Sequence, residues 1–375
     1  MKVIVIADDF SGAAEMAGIA LRYGLKLNVY LNSLETLNNS PALVPIISGG
    51  DGGIVCTDSR SLKKDKAIVV TERIVKQVLQ LQPEWIYKKT DSVLRGHIID
   101  ELKVQMQLTG KRKAFFMPAN PSLGRTISNG KYFINNVPLN ETGFANDPEF
   151  PVKSSLVKEV LQNKVEVLTL EDVLPDEGIV VGEANTVDDY KLWAAKANDS
   201  WLLSGTGDFF TALLDKQFKQ SATAAPQLQQ PFLYVSGTAF TERKAAIKKI
   251  AAEKNSVCYL NKENETEVIN KVITISTTTP AILAFDEVDF SLSAAELRQW
   301  MATVVKKIIA TAGIKELFIE GGSTAAAILQ ELNIKMLEPV NELSRGVVRM
   351  RADDLFITVK PGSYELPKEI MELFS

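Results

Sequence analysis

Tyr87-Lys88-Lys89-Thr90-Asp91-Ser92-Val93-Leu94-Arg95-Gly96 follows directly on Trp85-Ile86, and the change in character is abrupt. Trp85-Ile86-Tyr87 is apolar, aromatic and β-branched, the composition of a buried strand. Two lysines, an aspartate, hydroxyls and an arginine come next, ahead of a glycine. Ile98 to Met106 then places apolar residues at helical spacing. Charges set between a strand end and a helix start lie where parallel α/β sheets bind ligands, at the carboxyl ends of the strands. Lysine and arginine there suit an anion, and arginine in particular a carboxylate or phosphate gripped two-pronged. Asp91 among them offers a proton acceptor or a metal ligand. A solvated turn with a surface ion pair is the competing reading, and the density of charge directly behind a hydrophobic strand favours a site.

The same arrangement occurs twice upstream. Lys2 to Ala7 reads as a strand, with Asp8-Asp9-Phe10-Ser11-Gly12 at its end and an alanine-rich helix from Ala13 to Tyr23. Gly24 suits the helix stop, and Leu25 to Leu31 returns as a strand to make a first βαβ unit. Neighbouring side chains of an extended chain face opposite ways, so one of Asp8 and Asp9 is expected to face the cleft and the other to cap the helix. Asn32 to Gly53, with Pro41, Pro45 and the run Ser48-Gly49-Gly50-Asp51-Gly52-Gly53, reads as a loop. Ile54 to Thr57 is a strand ending in Asp58-Ser59-Arg60-Ser61, and Lys66 to Gln82 the helix after it. Asp8/Asp9, Asp58/Arg60 and Lys89/Asp91/Arg95 at three consecutive strand ends point to one cleft.

Further on, Lys113 to Met117 is a strand running into the stiff loop Pro118 to Arg125, which ends in another arginine. Tyr132 to Ile134 and Val137 to Leu139 are short strands, and helices and strands alternate up to Phe218. Gln217 to Pro231 is low in complexity and serves as a linker. Beyond it, Phe232 to Val235, Val257 to Leu260, Ala281 to Phe285 and Glu316 to Ile319 read as strands, with helices at Thr241 to Lys254 and Ala294 to Ala312. Glu320-Gly321-Gly322-Ser323-Thr324 joins a strand to the helix Ala325 to Leu332, a junction whose free N–H groups favour phosphate. It lacks the lysine of a Walker P-loop. Leu355 to Ser363 is a final strand entering a basic glycine turn. The fold class is α/β: two α/β domains with largely parallel sheets and an active-site cleft between them, residues 1–222 and 230–375.

Composition narrows the function. A chain of 375 residues exceeds what one core usually supports, and 46% hydrophobic with 23% charged residues is ordinary for a globular protein. A net charge of −4 gives no footprint for nucleic acid or anionic membrane, and no apolar run reaches transmembrane length. Met1 to Ala7 reads as a strand rather than a signal peptide. Cys56 and Cys258, far apart in sequence, imply a reduced, cytoplasmic setting. His97 is the only histidine, so a multi-histidine zinc site is excluded and a Ser-His-Asp triad would have to use it. It is expected at a helix start.

Taken together, Ala7-Asp8-Asp9-Phe10-Ser11-Gly12-Ala13, Lys88 to Gly96, Pro118 to Arg125, Val235-Ser236-Gly237, Glu320 to Ala325 and Lys360-Pro361-Gly362 resemble the four-carbon acid sugar kinase family. They occur in family order over nearly the whole chain. The resemblance implies an N-terminal sugar-binding domain, a C-terminal nucleotide-binding domain, and ATP-dependent phosphorylation of threonate, erythronate or an oxo-tetronate. On that reading of the strand-end residues, Asp91 or Asp9 is the expected base and Arg95 with Lys89 is expected to hold the substrate carboxylate, alongside Asp8, Asp58, Arg60 and Arg125. Ser236, Gly237, Gly321, Gly322, Ser323, Thr324, Lys360 and Gly362 would hold ATP, with Mg²⁺ on its phosphates and no metal ligand assigned. The expected partners are a small anionic sugar acid and ATP, with a homodimer left open. Two departures stand out: Ser236-Gly237-Thr238 replaces Ser-Gly-Ser, and Lys360-Pro361-Gly362-Ser363-Tyr364-Glu365 replaces Lys-Ser-Gly-Gly-Phe-Gly. The rival reading is a non-catalytic sugar-acid sensor with a degenerate nucleotide loop.

Overall fold

The computed structural model of the chain describes residues 2–31, 51–147, 150–221, 226–237, 241–285, 292–362 and 364–374. Most of the expected loop at 32–53, Thr238, Ser363 and part of the expected linker lie outside the described residues. The chain divides into two compact units: residues 1–27 with 32–221, and residues 28–31 with 222–375.

The first unit opens with β1 (Val3–Ala7) and α1 (Phe10–Arg22). β2 (Asn28–Leu31) comes next but groups with the second unit. The first resumes with β3 (Gly52–Cys56), α2 (Lys64–Gln80), β4 (Trp85–Lys89), α3 (Ile98–Thr109) and β5 (Lys113–Met117). β6 (Arg125–Ser128), β7 (Lys131–Ile134) and β8 (Val137–Pro138) make a small antiparallel sheet. α4 (Val157–Val160), β9 (Glu166–Leu168), β10 (Gly178–Gly182), α5 (Val187–Lys196), β11 (Trp201–Gly205) and α6 (Gly207–Asp215) complete the unit. Its main sheet is parallel, in the order β3-β1-β4-β11-β5-β10-β9. β1 and β3 are wholly buried, β1 a run of Val, Ile and Ala and β3 of Gly, Ile, Val and Cys, with no charged residue in either, as strands covered on both faces must be. Register matters most here. Ala7 pairs with both Cys56 and Lys89, and Lys89 with Gly205, so four strands stop level and release their loops along one rim.

The second unit contains β12 (Phe232–Ser236), α7 (Thr241–Glu253), β13 (Val257–Leu260), α8 (Glu265–Ser276), β14 (Ala281–Phe285) and α9 (Ala294–Ala312). β15 (Glu316–Glu320), α10 (Gly322–Glu331), β16 (Met336–Ser344), β17 (Val347–Ala352), β18 (Leu355–Lys360) and α11 (Lys368–Leu373) follow. Strands β13-β14-β12-β15-β18 are parallel, and β17, β16 and β2 continue the sheet antiparallel. Ser236 pairs with Glu320, and Glu320 with Lys360, so these three strands also end level. Across β15 and β17 the fully buried Glu316 receives Arg349 through two hydrogen bonds, Nε to Oε1 at 2.8 Å and Nη2 to Oε2 at 2.7 Å. The Arg349 guanidinium also lies 3.6 Å over the Phe356 ring.

Three expectations are corrected. The stretch 25–31 does not close a first βαβ unit. β2 instead pairs antiparallel with β16, Leu337 opposite Val29 and both fully buried, while β1 takes β3 and β4 as its parallel neighbours. Gly52 and Gly53 lie inside β3 rather than in a loop. α1 starts at Phe10, three residues before the alanine run, because Asp9 caps it there. The hairpin of β16 and β17 was not anticipated. Among the described residues, no helix is long and apolar enough to cross a membrane.

Candidate functional site

In the first unit, the three strand ends singled out from the sequence meet on one guanidinium. Arg60 donates from Nε to Asp8 at 2.9 Å and from Nη1 to Asp9 at 2.8 Å, and lies 3.5 Å from Asp91. The expectation that Asp8 and Asp9 face apart is half right. Asp9 caps α1, its Oδ1 accepting from the Gly12 amide at 2.8 Å, and Asp8 turns inward. Yet the breadth of the arginine fork lets one side chain reach both. Burial by itself would raise the Asp8 carboxyl, but Arg60, Lys88 and Lys89 outweigh it and hold it low.

Asp91 is still more firmly held. Its two oxygens take Nε and Nη2 of Arg95 at 2.9 Å each, and Oδ2 also accepts the amides of Val93 and Arg95. These bonds close the turn in which Leu94 adopts a φ of 66°. Burial opposes ionisation, yet Arg60 and Arg95 push the carboxyl far below the usual range. Arg95 in turn spends Nη1 on Asp147 at 3.0 Å and stacks on Phe144. The fork expected to grip a substrate carboxylate is thus already filled by two carboxylates of the protein. The arrangement gives Arg95 a bracing part beside the expected one, and it argues against Asp91 as a base, since so weak a proton acceptor is mismatched to the task.

Lys89 is buried, its ammonium 3.3 Å from Glu15 and 2.9 Å from the Thr90 carbonyl, so it too faces inward. Asp58 stands exposed at the end of β3 with a φ of 49°. Arg125 differs from the other cations. Among the described residues its guanidinium donates to Ser92 Oγ, next to Asp91, with no carboxylate in its fork. Its loop is pinned by Asp208 at the start of α6, which accepts from the Ser122 amide at 2.9 Å and the Ser122 hydroxyl at 2.8 Å. Asp208, Glu15 and Asp147 went unrecognised in the sequence because each lies on a segment remote from the motif it supports. His97 is the N-cap of α3, bonded through Nε2 to the Leu62 carbonyl, as expected of a helix-start residue.

In the second unit, Ser236, Gly237, Gly321 to Thr324 and Gly362 line one cavity of about 390 Å³. Tyr259, Phe285, Leu297 and Met301 give it an apolar wall, and Lys244 and Arg298 add positive charge. α10 enters this cavity with no side-chain cap, its N-cap Gly321 at a φ of 109° and no acidic residue in its first turn. A helix start leaves its first four N–H groups without an intrahelical partner; here the Gly321 amide is taken by the Lys360 carbonyl, which leaves those of Gly322, Ser323 and Thr324 for an acceptor. Gly237 packs so closely on α10 that a Cβ there would lie 2.0 Å from Thr324 Oγ1. An apolar wall facing a bare helix start suits a molecule with a flat ring at one end and phosphates at the other. Lys360 lies inside, paired with Glu320 at 2.9 Å, both fully buried. No cluster of three or more acidic, histidine or cysteine side chains suited to a metal ion occurs among the described residues.

Comparison with known proteins places these features. Residues 3–243 match a family described as a sugar-binding N-terminal domain, and residues 217–364 match a nucleotide-binding C-terminal domain. The chain is 29% identical over 249 residues to a D-threonate kinase of Salmonella typhimurium, covering 61% of this chain and 57% of the relative, less than two thirds of its length. It is 23% identical to a 3-oxo-tetronate kinase of Cupriavidus necator, covering 96% of this chain and 94% of the relative. A solved Haemophilus influenzae protein from a domain family of unknown function shares the fold, with a TM-score of 0.71 at 20% identity over 99% of this chain and 98% of that one.

Proposed function

The chain belongs to the four-carbon acid sugar kinase family, and on that premise we propose that it transfers the γ-phosphoryl group of ATP to a hydroxyl of a small sugar acid. The observation that carries this reading is the apolar cavity of the second unit opening onto the uncapped start of α10. Relatives named as D-threonate, D-erythronate and 3-oxo-tetronate kinases support a four-carbon acid as substrate.

Phosphoryl transfer asks the protein for positioning and charge neutralisation more than covalent chemistry. In this reading Arg125 holds the acid's carboxylate, as the arginine whose fork, among the described residues, no protein carboxylate fills. Asp9 orients the attacking hydroxyl. Its side chain is 21% exposed against 7% for Asp91, and among the described residues only Arg60 of the cations bonds to it. As the hydroxyl oxygen bonds to phosphorus and the bond to the ADP oxygen breaks, the hydroxyl proton passes to Asp9. Asp91, Arg95 and Arg60 keep the loop of residues 91–95 in shape. Mg²⁺ would arrive on the phosphates of ATP, which is how it usually binds where a protein supplies few carboxylates, and would neutralise their charge.

The experiment is an ATP-consumption screen over three- to five-carbon sugar acids. ADP release is expected only when a hydroxy acid is present. No ATP binding at millimolar concentration would sink this reading in favour of the sensor. Arg125→Lys keeps the charge but loses the planar fork, and the Michaelis constant for the acid should rise about 10- to 150-fold, the worth of a charged hydrogen bond. An unchanged constant for the acid would remove Arg125 from the substrate site, and a changed one for ATP would point to a general disturbance.

A further inference from the structure

The turn after β18 departs from the pattern of the family it resembles, with Pro361 in place of a serine and only Gly362 of the expected glycines. The Lys360 ammonium fills that turn from beneath. It lies 2.9 Å from Glu320 Oε1 and donates to the carbonyls of Pro361 at 3.0 Å, Gly362 at 3.3 Å and Tyr364 at 2.6 Å. An ammonium has three protons. Four acceptors around a fully buried nitrogen leave none for a phosphate. Glu320 is itself fixed by Tyr234 Oη at 2.6 Å, Ser236 Oγ at 3.1 Å and Arg243 Nε at 3.2 Å. The Gly321 amide donates to the Lys360 carbonyl at 2.9 Å, so the turn and the start of α10 share one anchor. On the far side the Tyr364 ring lies over Gly346, where a Cβ would come within 2.4 Å of it. Gly346 has a φ of 70° in the β16–β17 turn, so a side chain there would be both strained and blocked.

We infer that Lys360 is a positioning residue rather than a phosphate ligand: held by Glu320, it ties Pro361, Gly362 and Tyr364 to the strand end and so fixes Gly362 as a wall of the cavity. The glycines that the family pattern has and this chain lacks are then dispensable. The proposal rests on the proposed function only in taking that cavity as the nucleotide site.

Two measurements separate the proposal from that reading. The first needs no nucleotide: hydrogen exchange of the peptide spanning 355–366 in the full-length protein and in Lys360→Met. Protection of this peptide should fall while that of β1 and β4 stays as in the parent. Unchanged protection overturns the latch. The second is calorimetric titration with ATP and Mg²⁺ of Lys360→Met, Glu320→Gln and the double variant. Each single change should weaken binding by about tenfold or more, and the double should be no weaker than the worse single, because both break one device. A loss in Lys360→Met with none in Glu320→Gln makes Lys360 a phosphate ligand and overturns the proposal. The double variant also keeps the test open should a single one fail to fold, since it leaves neither member of the buried pair facing an absent partner. If the parent binds no ATP, the kinase reading falls and the exchange measurement still decides the latch.

Discussion

Asp9→Asn is expected to lower kcat by about 10²–10⁴-fold, the usual worth of a positioned acid or base, at nearly unchanged melting temperature. Asparagine caps a helix as well as aspartate does, so the bond from the Gly12 amide survives the change. Arg60 keeps Asp8 and Asp91. What disappears is the proton acceptor. Asp91→Asn should behave in the opposite way. It strips the two-pronged partner from Arg95 and leaves two guanidiniums crowded together, so stability should drop by about 1.5–3 kcal/mol. The rate per folded molecule should fall far less than in Asp9→Asn. Measuring kcat beside the melting temperature for both variants separates a base from a brace. Near-native turnover by Asp9→Asn would end its candidacy, and a rate collapse confined to Asp91→Asn would return the role to Asp91.

The largest stability effect should come from Arg349→Met. Glu316 and Arg349 are 0% and 4% exposed, and both carboxylate oxygens are engaged. Removing the arginine leaves an uncompensated buried carboxylate, which typically costs about 3–5 kcal/mol. Glu316→Leu alone should cost a similar amount, by stranding the guanidinium. Joined in one chain, the two changes should recover most of the loss, because an apolar pair of similar volume avoids the desolvation of both ions. Urea unfolding of the three variants would decide it. Additive losses would mean that packing of Arg349 on Phe356, rather than the ion pair, supplies the stability.

The parallel strands of the fold were legible because their burial on both faces leaves unbroken apolar runs, as in Val3 to Ala7 and Leu317 to Ile319. The loops at their ends were legible for the complementary reason, since charge cannot follow such a strand except at a rim. What escaped were features made by distant partners. β16 carries Pro339, Asn341 and Glu342 and has little of a strand's look, yet its neighbours in the sheet set its conformation. Arg95 and Lys360 are both cations placed where a ligand might want one. Nothing in their local sequence tells that Asp147 or a trio of carbonyls has taken them first. Residue type announced the chemistry, and only geometry showed which groups were still free to use it.

The excursion of β2 bears on how the chain is made as well as on how it rests. Residues 29 and 30 leave the ribosome early, but the residues they pair with, Leu337 and Met336, follow some 300 positions later. At ordinary rates of synthesis, about 5–20 residues per second, that strand waits roughly 15–60 s for its neighbour. The first unit can gather its own parallel sheet in the meantime, since β1, β3 and β4 are all complete within the first ninety residues. The second cannot complete its sheet from its own consecutive residues, and a fragment starting at 222 would carry β16 with an edge of unpaired amides and carbonyls, the kind of surface that recruits other chains. Where the sequence divides most naturally is therefore not where the protein can be cut.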